Sequence, residues 1–196
     1  MSLILCIGLT VLCAGAFFPL IEYDLHKKIM HKPIKAFGLI PFDYPFRTHA
    51  QIHHHVFRAD ESYHLKNESD KWTIPMRWWN GPILLLITTA PVFELKLILG
   101  FSWLIPISFA AVGILYYSAY EYLHWCMHLP KARRLEFSNL FRRLNGHHLL
   151  HHRYMGKNYN VVFPLWDWIF GTLLLRSKIP FRQATGPSVP DVQPRT

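Results

Sequence analysis

The sequence predicts an all-α fold in which integral membrane helices carry a cytoplasmic cap of histidine-rich helices. Three observations predict it: long uncharged stretches, two matched sets of histidines that follow such stretches, and basic residues concentrated beside the histidines. With 51% hydrophobic and 15% aromatic residues, the 196-residue chain is too apolar for an ordinary soluble basic protein. We expect one membrane-embedded domain over residues 1–176 and a flexible proline-rich tail over residues 177–196.

Three apolar stretches are the candidate membrane helices. Residues 3–21 and 97–120 contain 19 and 24 residues without a charge, and a membrane span needs about 20. The middle stretch, 83–95, is shorter and ends beside Lys96, so we expect it to be one arm of a shallow or tilted helical hairpin that turns at residues 94–96. Two prolines are expected to bend the hairpin helices: Pro91 and Pro106.

The first apolar stretch has a competing interpretation, a cleavable signal peptide. Such a peptide has a basic region ahead of its apolar segment, but no Lys or Arg precedes Lys27. A continuous helix that delivers His26 to a metal site would also be incompatible with cleavage. We therefore predict that this stretch remains in the protein as a membrane helix.

The basic residues predict which side of the membrane carries the histidines. The net charge is +9, yet the sequence contains no recognised nucleic-acid-binding motif, so we expect no nucleic-acid partner. By the positive-inside rule, the face that carries these residues is cytoplasmic, in a bacterial inner membrane or the endoplasmic reticulum membrane. The basic residues of this face are Lys27, Lys28, Lys32, Lys35, Arg47, Arg58, Arg133, Arg134, Arg142, Arg143 and Arg153.

Histidines form the strongest functional signal in the chain. The first and last apolar stretches, 3–21 and 97–120, are each followed by one group of histidines and then by another, with 18 residues from His31 to His49 and 19 from His128 to His147. Imidazole is a common ligand of first-row transition metals, so the repetition predicts a metal centre with ligands from both halves. The predicted ligands are His26, His31, His49, His53, His54, His124, His128, His148, His151 and His152.

Helical spacing supports the second set more directly than the first. On a helix His148, His151 and His152 share an arc of about 100°, whereas histidines five apart, such as His26 and His31, diverge by about 140°. The first set therefore needs a bent helix, a helix end or two metal ions. The remaining histidines are given no ligand role: His64 lies outside the groups, and His55 and His147 are spare members that support the ligands or are uninvolved.

Several motifs resemble those of one family of membrane enzymes. Glu22-Tyr-x-x-His26-Lys-x-x-x-His31-x-Pro33 resembles the first histidine box of fatty acid 2-hydroxylases, and His148-x-x-His151-His152 resembles the last. The segment from Asn160 to Thr172, NVVFPLWDWIFGT, is similar to the closing signature of the fatty acid hydroxylase superfamily, which includes sterol desaturases and C-4 methyl oxidases. The second box, His49-x-x-x-His53-His54, is one residue longer than usual, which leaves the assignment of His53, His54 and His55 open.

This resemblance implies a membrane di-iron oxygenase that uses O₂ and two electrons to hydroxylate an aliphatic C–H bond of a lipid, whether fatty acyl, sphingolipid or sterol-like. Two iron ions are implied, with zinc as a substitute in isolated protein. Lipid desaturation, C-4 methyl oxidation and non-catalytic metal binding are the alternatives. No flavin, nicotinamide or haem motif is visible, and no cytochrome b5 domain. The electrons are therefore expected from a separate donor of the ferredoxin or cytochrome b5 type.

Supporting roles also follow from the resemblance and from composition. The carboxylates Glu22, Asp24 and Glu121 lie near the histidine boxes and are expected to orient histidines by accepting ring N–H groups. His147 and Asn160 are assigned the same supporting role, and no catalytic residue beyond the metal ligands is assigned. Aromatic residues that could line a route for an aliphatic substrate are Phe17, Phe18, Trp78, Trp79, Trp103, Tyr116 and Tyr117.

Overall fold

The computed structural model describes residues 2–36 and 40–175, most of which are helical. The predicted tail over 177–196 lies outside the described residues. The long helices are α1 (Leu3–Leu25), α4 (Asn80–Leu99), α5 (Leu104–His128) and α6 (Asn139–Arg153). The short elements are strands β1 (Ile34–Ala36) and β2 (Ile40–Phe42), helices α2 (Tyr44–Phe46), α3 (His54–Val56) and α7 (Leu165–Ile169), π-helical turns at His26–Met30 and Arg47–His53, and 3₁₀ turns at Glu68–Thr73 and Arg134–Phe137.

Three helices are long and apolar enough to cross a membrane: α1 with its π-helical extension, α4 and α5. Their outer faces are apolar but not covered by protein, and only 6% of the most apolar window of α4 is buried. Leu86 and Ile98 of α4 are 66% and 76% exposed. A helix that is apolar all round and uncovered by protein needs lipid as its solvent, so the predicted membrane helices are confirmed.

The hairpin of α4 and α5 differs in detail from the prediction. The first arm contains 20 residues, Asn80–Leu99, because the charged Glu94 and Lys96 do not end it. The turn lies instead at Gly100, whose left-handed φ of 69° ends α4 and whose N–H bonds the Lys96 carbonyl at 2.9 Å. Pro106 lies in the first turn of α5, where a missing N–H costs no helical hydrogen bond, so the predicted reason for a bend is absent there.

Helices α1 and α5 pack closely beneath the cap. Gly113 of α5 touches the Phe18 ring so closely that a Cβ atom would overlap it, and both Phe17 and Phe18 contact Phe109. Apolar residues of α5 and α6 form the core of the cap, around the fully buried Cys126. The packing brings the C-terminal ends of α1 and α5 to the same end of the bundle.

This arrangement predicts the sidedness of the loops. Cysteines placed at the exposed Glu61 and Met155 should react with a membrane-impermeant maleimide from the same side, and a cysteine at Ser102 from the other, because the α4–α5 hairpin crosses the membrane twice. The measurement uses intact and inverted vesicles and a background without the native cysteines. Labelling of Glu61→Cys and Met155→Cys from opposite sides would contradict a shared histidine site.

Candidate metal centre

Ten buried or half-buried histidines converge into two clusters of five, each with ligand atoms within 4.8 Å of one another. Cluster A contains His26, His31, His49, His54 and His151. Cluster B contains His53, His124, His128, His148 and His152. These are the ten histidines predicted as ligands from their spacing, and each cluster draws on both halves of the chain.

Adjacent histidines separate between the two clusters. His53 belongs to cluster B and His54 to cluster A, and His151 and His152 separate in the same way. Consecutive residues of a helix point about 100° apart, so one helical surface can serve two neighbouring sites. Pairs of adjacent histidines therefore hold the two clusters side by side.

The irregular spacing of the first histidine set is accommodated by π-helical turns. A π-helix repeats hydrogen bonds at i→i+5, which brings residues five apart close to the same face. The turn His26–Met30 separates His26 from His31, and the turn Arg47–His53 separates His49 from His54. The second of these turns also absorbs the extra residue of the second box. His55 is left exposed beside Arg58, outside both clusters.

Backbone carbonyls fix the orientation of five of these rings. A carbonyl oxygen only accepts hydrogen bonds, so the ring nitrogen that faces it carries the proton and the other nitrogen carries the lone pair. In cluster A, the Nδ1 atoms of His26 and His151 donate to the carbonyls of Tyr159 and Lys157, at 2.5 and 2.7 Å. In cluster B, the Nδ1 atoms of His53, His128 and His152 donate to the carbonyls of Thr73, Tyr63 and Phe57, at 3.0, 2.8 and 2.5 Å.

The Nε2 atoms consequently face one another within each cluster. They are 2.8 Å apart between His26 and His49 and 3.1 Å apart between His31 and His151. The corresponding distance between His128 and His148 in cluster B is 3.1 Å. Facing lone pairs repel unless a cation lies between them. Nitrogens bound to one ion at about 2.0–2.1 Å lie about 3 Å apart when they meet at near right angles, so both donor sets fit a metal ion.

Burial keeps these imidazoles in the form that binds metal. Desolvation lowers the pKa of His31 and His53 to about 4, and that of His151 to about 3. Burial, together with the neighbouring histidines, also lowers the pKa of His49, His54, His148 and His152 well below the ordinary value. The cap histidines are therefore neutral at physiological pH, and neutral imidazole is the ligand form.

The carboxylates near the boxes have partners other than histidine. Glu22 accepts hydrogen bonds from the Tyr116 hydroxyl, the Val161 N–H and the Asn160 side chain. Glu121 accepts from the Tyr117 hydroxyl at 2.8 Å and the Met76 N–H at 3.4 Å, and Asp24 pairs with Lys28 near the surface. In place of the carboxylates that we predicted, backbone carbonyls accept the ring N–H groups. A carbonyl has no residue type, so the sequence carries no signal for it.

The remaining supporting residues lie around the closing segment, defined as residues 157–174. Asn160 bonds Glu22 and the Pro19 carbonyl, and His147 lies with its Nε2 3.4 Å from Asp167 Oδ2. His64 packs edge-to-face against Tyr63 and belongs to neither cluster. Asp167 is fully buried and accepts hydrogen bonds from two backbone N–H groups, a role that the sequence did not reveal.

A cavity of about 930 Å³ connects the membrane helices to both clusters. Its walls are mostly apolar, and they include His26 and His49 of cluster A together with His53 and His124 of cluster B. Of the aromatic residues predicted to line a substrate route, the cavity includes Phe18, Trp78, Tyr116 and Tyr117. The others have different positions: Phe17 packs on Phe109, Trp79 lies under Arg77, and Trp103 lies at the far turn against Lys96.

Comparison with known proteins gives concordant matches. The sequence profile described as fatty acid hydroxylase matches residues 11–172. The chain is 27% identical over 169 residues to dihydroceramide fatty acyl 2-hydroxylase FAH2 of Arabidopsis thaliana. This match covers 85% of this chain and 61% of that protein. The fold of the chain is similar to a solved structure described as full length scs7p with only the hydroxylase domain visible. The TM-score is 0.54, the sequence identity is 25%, and the match covers 92% of this chain and 60% of that one. The chain thus spans about three fifths of each relative's length.

Proposed function

Because the chain belongs to the fatty acid hydroxylase family, we propose that it hydroxylates an aliphatic C–H bond of a lipid whose acyl chain occupies the cavity. The substrate class extends the activity of one relative, a dihydroceramide fatty acyl 2-hydroxylase, to a fatty acyl group in general. The chain matches only part of that relative, so the proposal covers the acyl chain and leaves the rest of the relative's substrate out.

The observation that carries the proposal is the continuity between the cavity and the histidine clusters. One wall consists of apolar residues of α1, α4 and α5, such as Phe18 and Leu84, and would hold an alkyl chain at membrane depth. Another part of the wall consists of ring edges from both clusters, including His26 and His124. A bound acyl chain would thus lie in the bilayer-facing part while one of its carbons lies beside the histidines.

We assign a metal ion to each cluster, held by the five histidines of that cluster, and we propose iron as the working metal. Imidazole sites also accept zinc, so isolated protein can contain either metal. When bound, the metal pair supplies the activation of dioxygen that the oxidation of an unactivated C–H bond requires. The donor set supports this assignment because its neutral nitrogen ligands are numerous enough for two ions and are already gathered into two compact groups.

The residues of the chain contribute position and exclusion of water. The carbonyls of Thr73, Tyr63 and Phe57 hold three rings of cluster B, so those ligands are oriented before any metal binds. Burial of the histidines leaves little room for bulk water beside the reacting carbon. The apolar cavity wall restricts which carbon of the chain reaches the clusters, which is how a preorganised site selects a position on a uniform alkyl chain.

Electrons would reach the site from a separate protein, and α6 supports a docking position for it. One face of α6 carries His148, His151 and His152, whereas Arg142, Arg143 and Arg153 of the same helix are exposed. A helix is about 10–12 Å in diameter, so a partner on the basic face would approach both clusters closely. We propose an acidic donor of the ferredoxin or cytochrome b5 type that docks there, on the cytoplasmic side.

The cavity argues against one rival function, and the reaction product distinguishes the others. A zinc carrier or sensor needs the histidines but has no use for an apolar cavity of about 930 Å³ that reaches them. A lipid desaturase or methyl oxidase of the same family would use the same cavity and clusters. The product therefore distinguishes these functions.

Expression of the chain with an electron donor should yield lipids that are heavier by one oxygen atom, detected by mass spectrometry of whole lipid extracts. The His152→Ala protein, which lacks one ligand of cluster B, is the negative control and should yield none. Growth under ¹⁸O₂ should transfer the label to the product, because dioxygen is the oxygen source. Lipids that lose two hydrogens instead would indicate a desaturase, and an unchanged lipid profile with metal-loaded protein would contradict catalysis.

A further inference from the structure

The two histidine clusters are supported by different parts of the chain. The carbonyls that hold cluster A rings come from Lys157 and Tyr159 of the closing segment. The carbonyls that hold cluster B rings come from the connection between α3 and α4, over residues 57–73. In the part of the chain that the structure describes, no histidine N–H of cluster B bonds a carbonyl of the closing segment. A change confined to the closing segment should therefore affect one cluster.

Asp167 fixes the closing segment from within. It is completely buried, and its two carboxylate oxygens accept the Tyr159 N–H at 2.8 Å and the Asn160 N–H at 2.7 Å. The Thr172 hydroxyl also donates to it, at 2.7 Å. Burial raises the pKa of Asp167, but the nearby His147 ring and the hydrogen bonds from Asn160, Thr172 and Tyr159 outweigh that effect and lower the pKa below its ordinary value. Asp167 is therefore an ionised carboxylate at neutral pH.

One peptide unit connects Asp167 to a histidine of cluster A. The Asn160 N–H and the Tyr159 carbonyl belong to the same planar, trans peptide group, so they point in opposite directions. Asp167 binds the N–H, and His26 donates its Nδ1 hydrogen to the carbonyl. Rotation of this peptide would break both hydrogen bonds at once. The carboxylate thus determines the direction of the carbonyl that orients His26.

A second carboxylate holds the same backbone from the membrane side. Glu22 of α1 accepts the next N–H along the chain, that of Val161, at 2.6 Å, and also the Asn160 side chain at 3.1 Å. Glu22 thereby ties the closing segment to α1, one helical turn before His26. Among the described residues, however, Asp167 alone binds the N–H of the peptide group whose carbonyl faces the His26 ring.

We propose that Asp167 is a positioning residue for cluster A alone, acting through the Tyr159–Asn160 peptide on His26. The proposal rests on the proposed binding of one metal ion by each cluster. It assigns a role to the Asp of the closing signature, and it implies that the two metal sites can be emptied separately.

Asp167→Asn tests the proposal, because it replaces one accepting oxygen by an NH₂ group that faces a backbone N–H. Loss of an outer partner lowers metal affinity by about 10–100-fold, and we expect this loss in cluster A only. The change is made in two backgrounds. His152→Ala removes a ligand of cluster B and leaves cluster A as the intact site, whereas His151→Ala leaves cluster B intact. Iron per chain is measured by elemental analysis after dialysis of the detergent-solubilised protein against a chelator.

The expected result is selective. Asp167→Asn should strip the remaining iron from the His152→Ala protein and leave the His151→Ala protein unchanged. The matched control is Glu94→Gln, which removes a carboxyl at the far end of α4 and should change neither. If the Asp167→Asn protein fails to fold, Thr172→Val, which removes one donor to Asp167, replaces it in the same two backgrounds and should show the same selectivity at smaller size.

Equal iron loss in both backgrounds would show that Asp167 merely stabilises the fold, and no loss in either would show that the peptide does not depend on it. Both results overturn the proposal while the metal assignment stands. If His151→Ala and His152→Ala by themselves lose no iron, the metal assignment of the proposed function fails as well. Activity is not needed for any of these measurements.

Discussion

The largest expected loss of function comes from removing a single histidine of either cluster. His151→Ala in cluster A and His152→Ala in cluster B should each lower product formation by more than the roughly 100-fold upper range for losing an outer partner. Each change deletes an Nε2 atom that faces another Nε2 atom of its cluster, and the spare histidines His55 and His147 lie outside both clusters, so no other imidazole is in position to replace it. Product is measured by mass spectrometry and normalised to folded protein.

A histidine outside the clusters provides the matched control. His55 directly follows a histidine of cluster A, but it is exposed and contacts Arg58. His55→Ala should therefore retain nearly all activity and metal, and His64→Ala should behave in the same way. Substantial turnover by the His151→Ala protein with its metal retained would exclude His151 as a required ligand and would contradict the metal assignment for cluster A.

The second large effect is expected when the cavity is filled while the metal centre is left intact. Leu84 of α4 lines the cavity and is half-buried, so Leu84→Trp should place an indole ring where we propose that the acyl chain lies. A displacement of about 1 Å from productive geometry costs about 100-fold in rate, and we expect a loss of this size. Metal content should stay that of the unmodified protein, because Leu84 belongs to neither cluster.

The control for this change lies two residues further along the same helix. Leu86 is 66% exposed, and residues two apart on a helix point about 200° from each other, so Leu86→Trp faces lipid instead of the cavity. It should insert, bind metal and turn over normally. If both tryptophan variants have normal activity, the cavity does not bind the substrate. Metal loss in Leu84→Trp would show instead that the helix had shifted.

The repeated histidine groups in the sequence predicted the histidines that the structure gathers, but their local spacing fitted a helix face only for the second set. A cluster of ligands needs imidazoles on nearby helical faces, and that requirement leaves a pattern of three- and four-residue spacings such as His148 to His151 and His152. Membrane helices can also be predicted from a local stretch of sequence, since the bilayer sets their length and composition. The predicted end of α4 was wrong, since the helix continues through Glu94 and Lys96, where we expected the turn.

The partition of the ligands was decided by tertiary structure. His151 and His152 are neighbours in sequence, yet the Nε2 atom of His151 lies 3.1 Å from that of His31 in cluster A, whereas His152 belongs to cluster B with His124 and His128 of α5. Only the packing of α1 and α5 beside α6 determines this division. The supports of the rings are backbone carbonyls, which every residue has, so no residue type marks them in advance. Spacing along one chain records which groups share a helix face; which faces meet, and which peptide faces a ring, depends on contacts between residues distant in sequence.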